Sequence, residues 1–267
     1  MQLEAKYEKL KIILLGYGRV AVAFSGGTDS SLLLKCALDT LGTDNVLMVF
    51  TQSELLTPAE IDHVMQWPQA NGYARTIKLE NIGLQPLEWE EFVNNGKDRC
   101  YFCKRTMYAA FRERMEQRNF TWLIDGTNAD DLKEHRAGLR AIRELGVATP
   151  FVEADLDKAA IRLLSQRLGL TTWDRPSSSC LATRIPTGMR ITRERLQWVT
   201  VLEHGMERFG LVGCRVRLCA CREDEAHLEL RSQDFARLAE PDIRAALLSF
   251  FQRHGVSKVL VFLKGRA

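Results

Sequence analysis

Apolar residues along the first two thirds of the chain alternate between two rhythms, short continuous runs and stripes of helical period, with Gly, Pro or Asn between them. Residues 19–24 (RVAVAF) form a run of small and β-branched side chains suited to a strand buried on both faces. Residues 30–41 carry leucines at helical spacing, and a Gly-rich turn joins the two segments. Residues 46–51 read as a second buried strand, 58–71 as a helix with Pro near its start, and 73–78 as a third strand. Further on, 104–118 predicts a helix, 122–125 a strand, and 157–168 a capped helix ended by Gly169. Strands and helices in alternation imply a parallel sheet and an α/β fold.

After residue 173 the pattern breaks at a Pro-Ser-Ser-Ser stretch. Residues 192–210 then suggest a helix, 215–219 and 227–230 strands, 241–254 a helix and 258–263 a closing strand, a smaller α/β unit. Two domains are expected, 1–175 and 176–267. The first fifteen residues mix Lys6, Glu8, Lys9 and Lys11 with scattered apolar positions, which suits an amphipathic helix and lacks the continuous core of a secretory signal. With no apolar run near the roughly 18 residues of a membrane span, the expectation is a cytoplasmic protein without a membrane partner.

Composition narrows the function classes. The 267 residues are 46% hydrophobic, ordinary for a globular core, and 37 Lys plus Arg against 34 Asp plus Glu leave a net charge of +3. That near-neutral balance argues against nucleic acid as the main partner. Seven cysteines, an odd number without a secretory signal, point to reduced thiols, metal ligands or a redox centre rather than a disulfide framework.

The strongest motif is Ser25-Gly26-Gly27-Thr28-Asp29-Ser30, which follows the first strand and opens a helix. Such a turn gathers backbone N–H groups at the positive end of a helix dipole, and the glycines let a phosphate approach the chain. Ser25, Thr28 and Ser30 can add hydroxyl donors. Asp29 would repel phosphate unless it works through Mg²⁺ or another cation. No Gly-Lys-Ser/Thr ending is present, so this is not a Walker A loop. Asp125-Gly126-Thr127-Asn128-Ala129-Asp130-Asp131 follows the 122–125 strand and should lie at the carboxyl edge of the sheet, where open α/β folds bind ligands; the bland alternative is an Asp-Gly turn with a solvated tip.

Cys100-Tyr101-Phe102-Cys103 has the spacing that lets two thiolates grip one metal or cluster, just before the 104–118 helix. Cys180 offers a third ligand. Three ligands suit a 4Fe-4S cluster with one open iron better than structural zinc, which takes four. A buried hydrophobic couple or a thioredoxin-like redox pair are the alternatives for Cys100 and Cys103. Cys36 belongs to an apolar helix face. Cys214, Cys219 and Cys221 form a looser group, read as small buried hydrophobes or a second metal site.

The loop at Ser25 to Ser30 resembles the PP-loop signature of the N-type ATP-pyrophosphatases, which cleave ATP between the α and β phosphates and adenylate an acceptor. Together with Asp125-Gly126-Thr127-Asn128, Glu153-Ala154-Asp155 and Ser179-Cys180-Leu181-Ala182-Thr183-Arg184, in that order, it extends the resemblance over nearly the whole chain to the LarE sulfur transferases. That resemblance implies an adenine nucleotide alpha hydrolase-like domain and a C-terminal domain for substrate binding and oligomerisation. It also implies conversion of the carboxylates of pyridinium-3,5-biscarboxylic acid mononucleotide to thiocarboxylates, a step in nickel-pincer cofactor biosynthesis. One branch of the family sacrifices sulfur from the cysteine matching Cys180. The presence of Cys100 and Cys103 resembles the other branch, in which three cysteines carry a 4Fe-4S cluster that delivers sulfur.

ATP, Mg²⁺ and the cluster are the implied cofactors, with Cys100, Cys103 and Cys180 as metal ligands. Ser25, Gly26, Gly27, Thr28, Asp29, Ser30, Asp125, Gly126 and Thr127 would bind nucleotide, and Glu203, Arg215 and Arg217 match positions near the substrate. Cys180, Asp29, Lys104 and Arg184 would carry the chemistry, the last two by neutralising the adenylate or the cluster. The resemblance further implies a homo-oligomer, such as a hexamer. The rival readings are a cluster-dependent tRNA thiolation enzyme, a sacrificial donor using Cys180, and a non-catalytic nucleotide sensor with structural zinc.

Overall fold

The structure, a computed structural model, describes residues 2–73, 77–133, 137–176 and 179–266. It divides into two compact units, Met1–Ser53, Pro58–Leu84 and Asp98–Arg175 in the first, Glu54–Thr57, Gln85–Lys97 and Pro176–Ala267 in the second.

In the first unit, α1 (Gln2–Tyr17) buries Tyr7, Leu10 and Leu14, one stripe of a 3.6-residue period. β1 (Val20–Ala23) follows, then α2 (Thr28–Leu41), β2 (Val46–Gln52), α3 (Pro58–Ala70) and β3 (Lys78–Gly83). The short helix α4 (Glu90–Val93) lies in the second unit. The first resumes with α5 (Arg99–Gln117), β4 (Trp122–Ile124), α6 (Ala137–Glu144), α7 (Pro150–Glu153) and α8 (Lys158–Arg167). Among the described residues, four strands form one sheet in the order β3-β2-β1-β4, every pair parallel. β1 is buried at every position because it runs between two neighbours with helices on the faces. On one face Ala21, Ala23, Leu47, Val49 and Leu123 pack against Tyr108, Phe111 and Met115 of α5 and Ile142 of α6.

The third strand is shifted from its expected place. β3 begins at Lys78, the end of the predicted 73–78 segment, of which 74–76 lie outside the described residues. β3 is an edge strand whose positions are half-buried or exposed, so Lys78, Glu80 and Asn81 dilute the apolar signal that marks β1 and β2. α5 starts at Arg99 rather than 104, which puts Cys100 and Cys103 inside its opening turns.

The second unit holds α9 (Arg193–Glu207), β5 (Arg215–Leu218), β6 (Glu225–Glu229), α10 (Phe235–Ala239), α11 (Pro241–Arg253) and β7 (Lys258–Val261). β6 pairs antiparallel with β5 and parallel with β7. Alternation turns Val216, Leu218, Ala226 and Leu228 into a core with Leu202, Met206, Phe250 and Phe251, and leaves Arg215, Arg217, Glu225, His227 and Glu229 on the opposite face. Two early segments join this unit through hydrogen bonds: the Leu55 carbonyl accepts the Leu181 N–H at 3.1 Å, and the Asn95 carbonyl accepts the Gly188 N–H at 2.9 Å. Asn95, at φ 54, donates from its amide to the carbonyls of Pro186 and Met189, both at 2.8 Å. No helix among the described residues is long and apolar enough to cross a membrane.

Candidate active site

The phosphate loop leaves the carboxyl end of β1, beside β2 and β4. Gly26 has φ 73, and a Cβ there would come within 3.0 Å of both His63 and Val64, so the loop needs glycine for conformation and for space. Gly27 is the N-cap of α2 and supplies no side-chain cap, so the first-turn N–H groups of α2 have no capping side chain competing with a ligand. Inside the loop Ser30 Oγ receives the Ser25 N–H at 3.2 Å and lies 3.1 Å from Ser25 Oγ. Outside it, the Gly26 carbonyl accepts from Arg175 at 3.3 Å and lies 3.1 Å from His63 Nε2. Thr28 differs from expectation: its hydroxyl donates to the Thr172 carbonyl at 2.6 Å, fastening α2 to the 170s segment instead of facing the loop.

Behind the loop stands a group of acidic side chains. Asn128 donates from Nδ2 to Asp29 at 3.2 Å, and its Oδ1 accepts the N–H groups of Asp130 and Asp131 at 3.0 and 3.2 Å. Lys158, at the start of α8, places its ammonium 3.2 Å from Asp131. Burial, and next the charge of Asp131, push the Asp29 carboxyl up to about 6. A buried carboxylate beside a second acidic side chain can take up a cation, and acidic oxygens beside such a loop are the donor set Mg²⁺ prefers. Asp125 is in the opposite state. Burial alone would raise it, but Lys104 and hydrogen bonds from Thr127 and Tyr108 outweigh burial and hold it below the ordinary carboxylate value.

The Asp125 contacts make it an organiser. Its Oδ1 accepts the Thr127 N–H at 2.7 Å and the Thr127 hydroxyl, while its Oδ2 accepts the Tyr108 hydroxyl. Lys104 Nζ is 3.9 Å from Oδ2. A Cβ on Gly126 would lie 3.2 Å from Asp29 C and Ser30 N, so this turn is packed directly against the start of α2. On the far side, Gly138 of α6 leaves room for Lys104, whose Cδ would be 2.8 Å from an added Cβ.

Cys100 and Cys103 stand one turn apart on α5, exposed and half-buried respectively, and neither forms a disulfide. Arg99 Nη2 approaches Cys100 Sγ at 3.5 Å. An i,i+3 pair shares one helix face with Cβ atoms about 5–6 Å apart, and two thiols at that spacing can ligate one metal centre. The donor chemistry of this pair therefore fits a cluster. Cys180 belongs to the second unit, half-buried at the head of the single turn Leu181–Arg184.

Arg184 is 7% exposed and holds that turn together. It forms a two-pronged ion pair with Glu203 of α9, at 2.8 and 3.0 Å, and donates to the Cys180 carbonyl at 3.1 Å and to the Ser179 carbonyl. Glu203 also accepts the Val216 N–H at 2.9 Å. Arg217 is engaged by Glu229 and by the Thr183 carbonyl. Arg215 stands opposite Glu229 in the β5–β6 register, yet burial, then Arg266 and Arg184, pull its guanidinium down to about 10. Of the two arginines expected to clamp a phosphate, Arg217 is tied to Glu229 and the Thr183 carbonyl, and Arg215 feels the positive charges of Arg266 and Arg184. The Glu153-Ala154-Asp155 motif has a structural task, with Glu153 receiving the Tyr17 hydroxyl at 2.5 Å and Asp155 paired with Lys6 at 3.0 Å.

Asn128, Asp131, Lys158, His63 and Arg175 join the site in addition to the residues expected there. Asn128 and Asp131 belong to the Asp125 to Asp131 motif, whereas the other three come from segments with no local signal of chemistry.

No protein-family model matches the chain. It is 34% identical over 228 residues to the pyridinium-3,5-bisthiocarboxylic acid mononucleotide synthase of Lactiplantibacillus plantarum, covering 85% of this chain and 80% of that protein. An uncharacterized protein of Synechocystis is 33% identical over 98% of this chain and 95% of its own length. One subunit of the glutamine-hydrolyzing GMP synthase of Thermoplasma acidophilum is 29% identical over 58% of this chain and 53% of its own. With the parallel sheet, the loop at Ser25 to Ser30 and the identity to the mononucleotide synthase across most of both chains, the protein belongs to the LarE family, built on the PP-loop fold.

Proposed function

We propose that the chain is an ATP-dependent sulfur transferase that adenylates a carboxylate of pyridinium-3,5-biscarboxylic acid mononucleotide and converts it to a thiocarboxylate. The observation that carries this reading is the continuity of α5. It bears Cys100 and Cys103 in its opening turns and, on the next residue, Lys104, whose ammonium reaches Asp125 behind the phosphate loop. Those two thiols and the Ser25 to Ser30 loop are thereby parts of one unit.

A carboxylate resists sulfur nucleophiles because its carbonyl is weakly electrophilic and oxide is a poor leaving group. In the proposed first step a substrate carboxylate oxygen attacks the α phosphorus of ATP and pyrophosphate leaves. In the second, sulfur attacks the acyl carbon and AMP departs with the oxygen. The first-turn N–H groups of α2, Ser25 and Ser30 would hold the departing phosphates. Asp29 and Asp131 would hold Mg²⁺, and Lys104 and Lys158 would offset charge around it. Arg215 would take the substrate phosphate, while Arg184 keeps the Cys180 turn in place. Cys100, Cys103 and Cys180 would hold a 4Fe-4S cluster, which when bound would supply the sulfur for the second step.

The test is turnover under anaerobic conditions with ATP, Mg²⁺, sulfide and the dicarboxylate mononucleotide. Expected are pyrophosphate, AMP and a thiocarboxylate product exceeding the enzyme in amount, together with a brown chromophore lost when Cys100, Cys103 or Cys180 becomes Ala. Product capped at one sulfur per chain, with Cys180 converted to dehydroalanine, would replace catalysis with sacrifice. Tight tRNA binding without response to the mononucleotide would overturn the substrate.

A further inference from the structure

We propose that Cys219, Glu225 and His227 form a separate binding site for a borderline-soft divalent cation of the zinc class. The three share no residue with the cysteine set above. The antiparallel register pairs Arg217 with His227 and Leu218 with Ala226, so Cys219, the next residue along, falls opposite Glu225. His227, two residues beyond Glu225, projects to the same face of β6. The Cys219 sulfur, a Glu225 oxygen and a His227 ring nitrogen all lie within 4.8 Å of one another.

The donors are chemically the right ones. Thiolate, imidazole and carboxylate bind zinc at roughly 2.0–2.3 Å, and three protein ligands leave a fourth position open. His227 Nε2 lies 2.8 Å from Glu225 Oε1. The other oxygen, Oε2, is held by Lys258 of β7 at 2.8 Å, an outer partner that orients the ligand and limits the negative charge of the set. The Phe262 ring, edge-on to the imidazole at 5.7 Å, shields one side. Glu225 is 6% exposed, so its carboxylate is largely screened from bulk water.

Cysteine spacing pointed to a different membership. Cys214 is 4% exposed in the core, burial pushes its thiol up to about 12, and Cys221 is exposed. Of the three, only Cys219 has a histidine and a carboxylate beside it among the described residues.

The experiment uses the full chain with Cys100, Cys103 and Cys180 all replaced by Ala, so that no cluster forms, and Co²⁺ as the probe. Expected are one bound equivalent, a thiolate-to-cobalt charge-transfer band in the near ultraviolet, and displacement by Zn²⁺. Cys219→Ser should abolish that band, and His227→Gln should weaken binding at least about tenfold. In the otherwise unaltered chain, Cys219→Ser should lower bound zinc by one per chain and leave iron unchanged, which guards against misfolding of the triple variant. Cobalt bound without a thiolate band, a band that survives Cys219→Ser, or zinc content indifferent to both substitutions would overturn the site and leave an ion-pair network beside a chance cysteine.

Discussion

Asp29 sits where burial, Asp131 and Asp125 all disfavour another negative charge, and its carboxyl titrates at about 6 instead of the ordinary 3.8. Because the folded value lies above the unfolded one, the folded state binds more protons between about pH 4 and 6, and stability falls as pH rises through that window. Above it the ionised carboxylate costs about 3 kcal/mol. Asp29→Asn should therefore raise the melting temperature at pH 7.5 in metal-free buffer, with little gain at pH 4, while lowering ATP-dependent pyrophosphate release by orders of magnitude. Equal melting temperatures at pH 7.5 would show that the acidic group carries no such cost. The thiols give a second contrast. Burial pushes both Cys36 and Cys214 up to about 12, so at pH 8 both stay protonated; Cys100 and Cys221 are exposed. In cluster-free native protein, iodoacetamide should label Cys100 and Cys221 and spare Cys36 and Cys214 until unfolding, as peptide mass spectrometry can read.

At the scale of elements, local signals worked where the chain itself supplies the cause. Asp157 caps α8 by accepting the Ala160 N–H at 2.8 Å, Thr192 caps α9 through the Arg195 N–H at 3.3 Å, and Gly169 ends its helix at φ 73. They failed where the neighbour decides. β3 is a strand because β2 offers it an edge, and its charged positions hide that from a periodicity count. The turn at Gly126 belongs to the same class, since it is tight against α2 only in three dimensions. An added methyl must push the Asp29–Ser30 backbone, so Gly126→Ala should cut pyrophosphate release by about 10–100-fold, as small misplacements do. Unchanged release would mean that the loop and the turn move independently.

At the scale of the molecule, the break between Arg175 and Pro176 coincides with a composition shift, yet residues 54–57 and 85–97 belong with the second unit through contacts such as those of Asn95. The family resemblance implies a homo-oligomer; light scattering should give a mass of two or more times 30.4 kDa, and a monomer would refute it. What could be read from the chain was whatever depends on residues close in sequence: the buried strands, the caps, the Ser25 to Ser30 loop, the Cys-x-x-Cys pair and the family. What only the tertiary structure decided was which groups face one another. Asp29 with Asn128 and Asp131, Lys104 with Asp125, Arg184 with Glu203, and Cys219 with Glu225 and His227 meet through sheet register and helix packing. Those contacts set charge and ligation, and no sequence spacing encodes them.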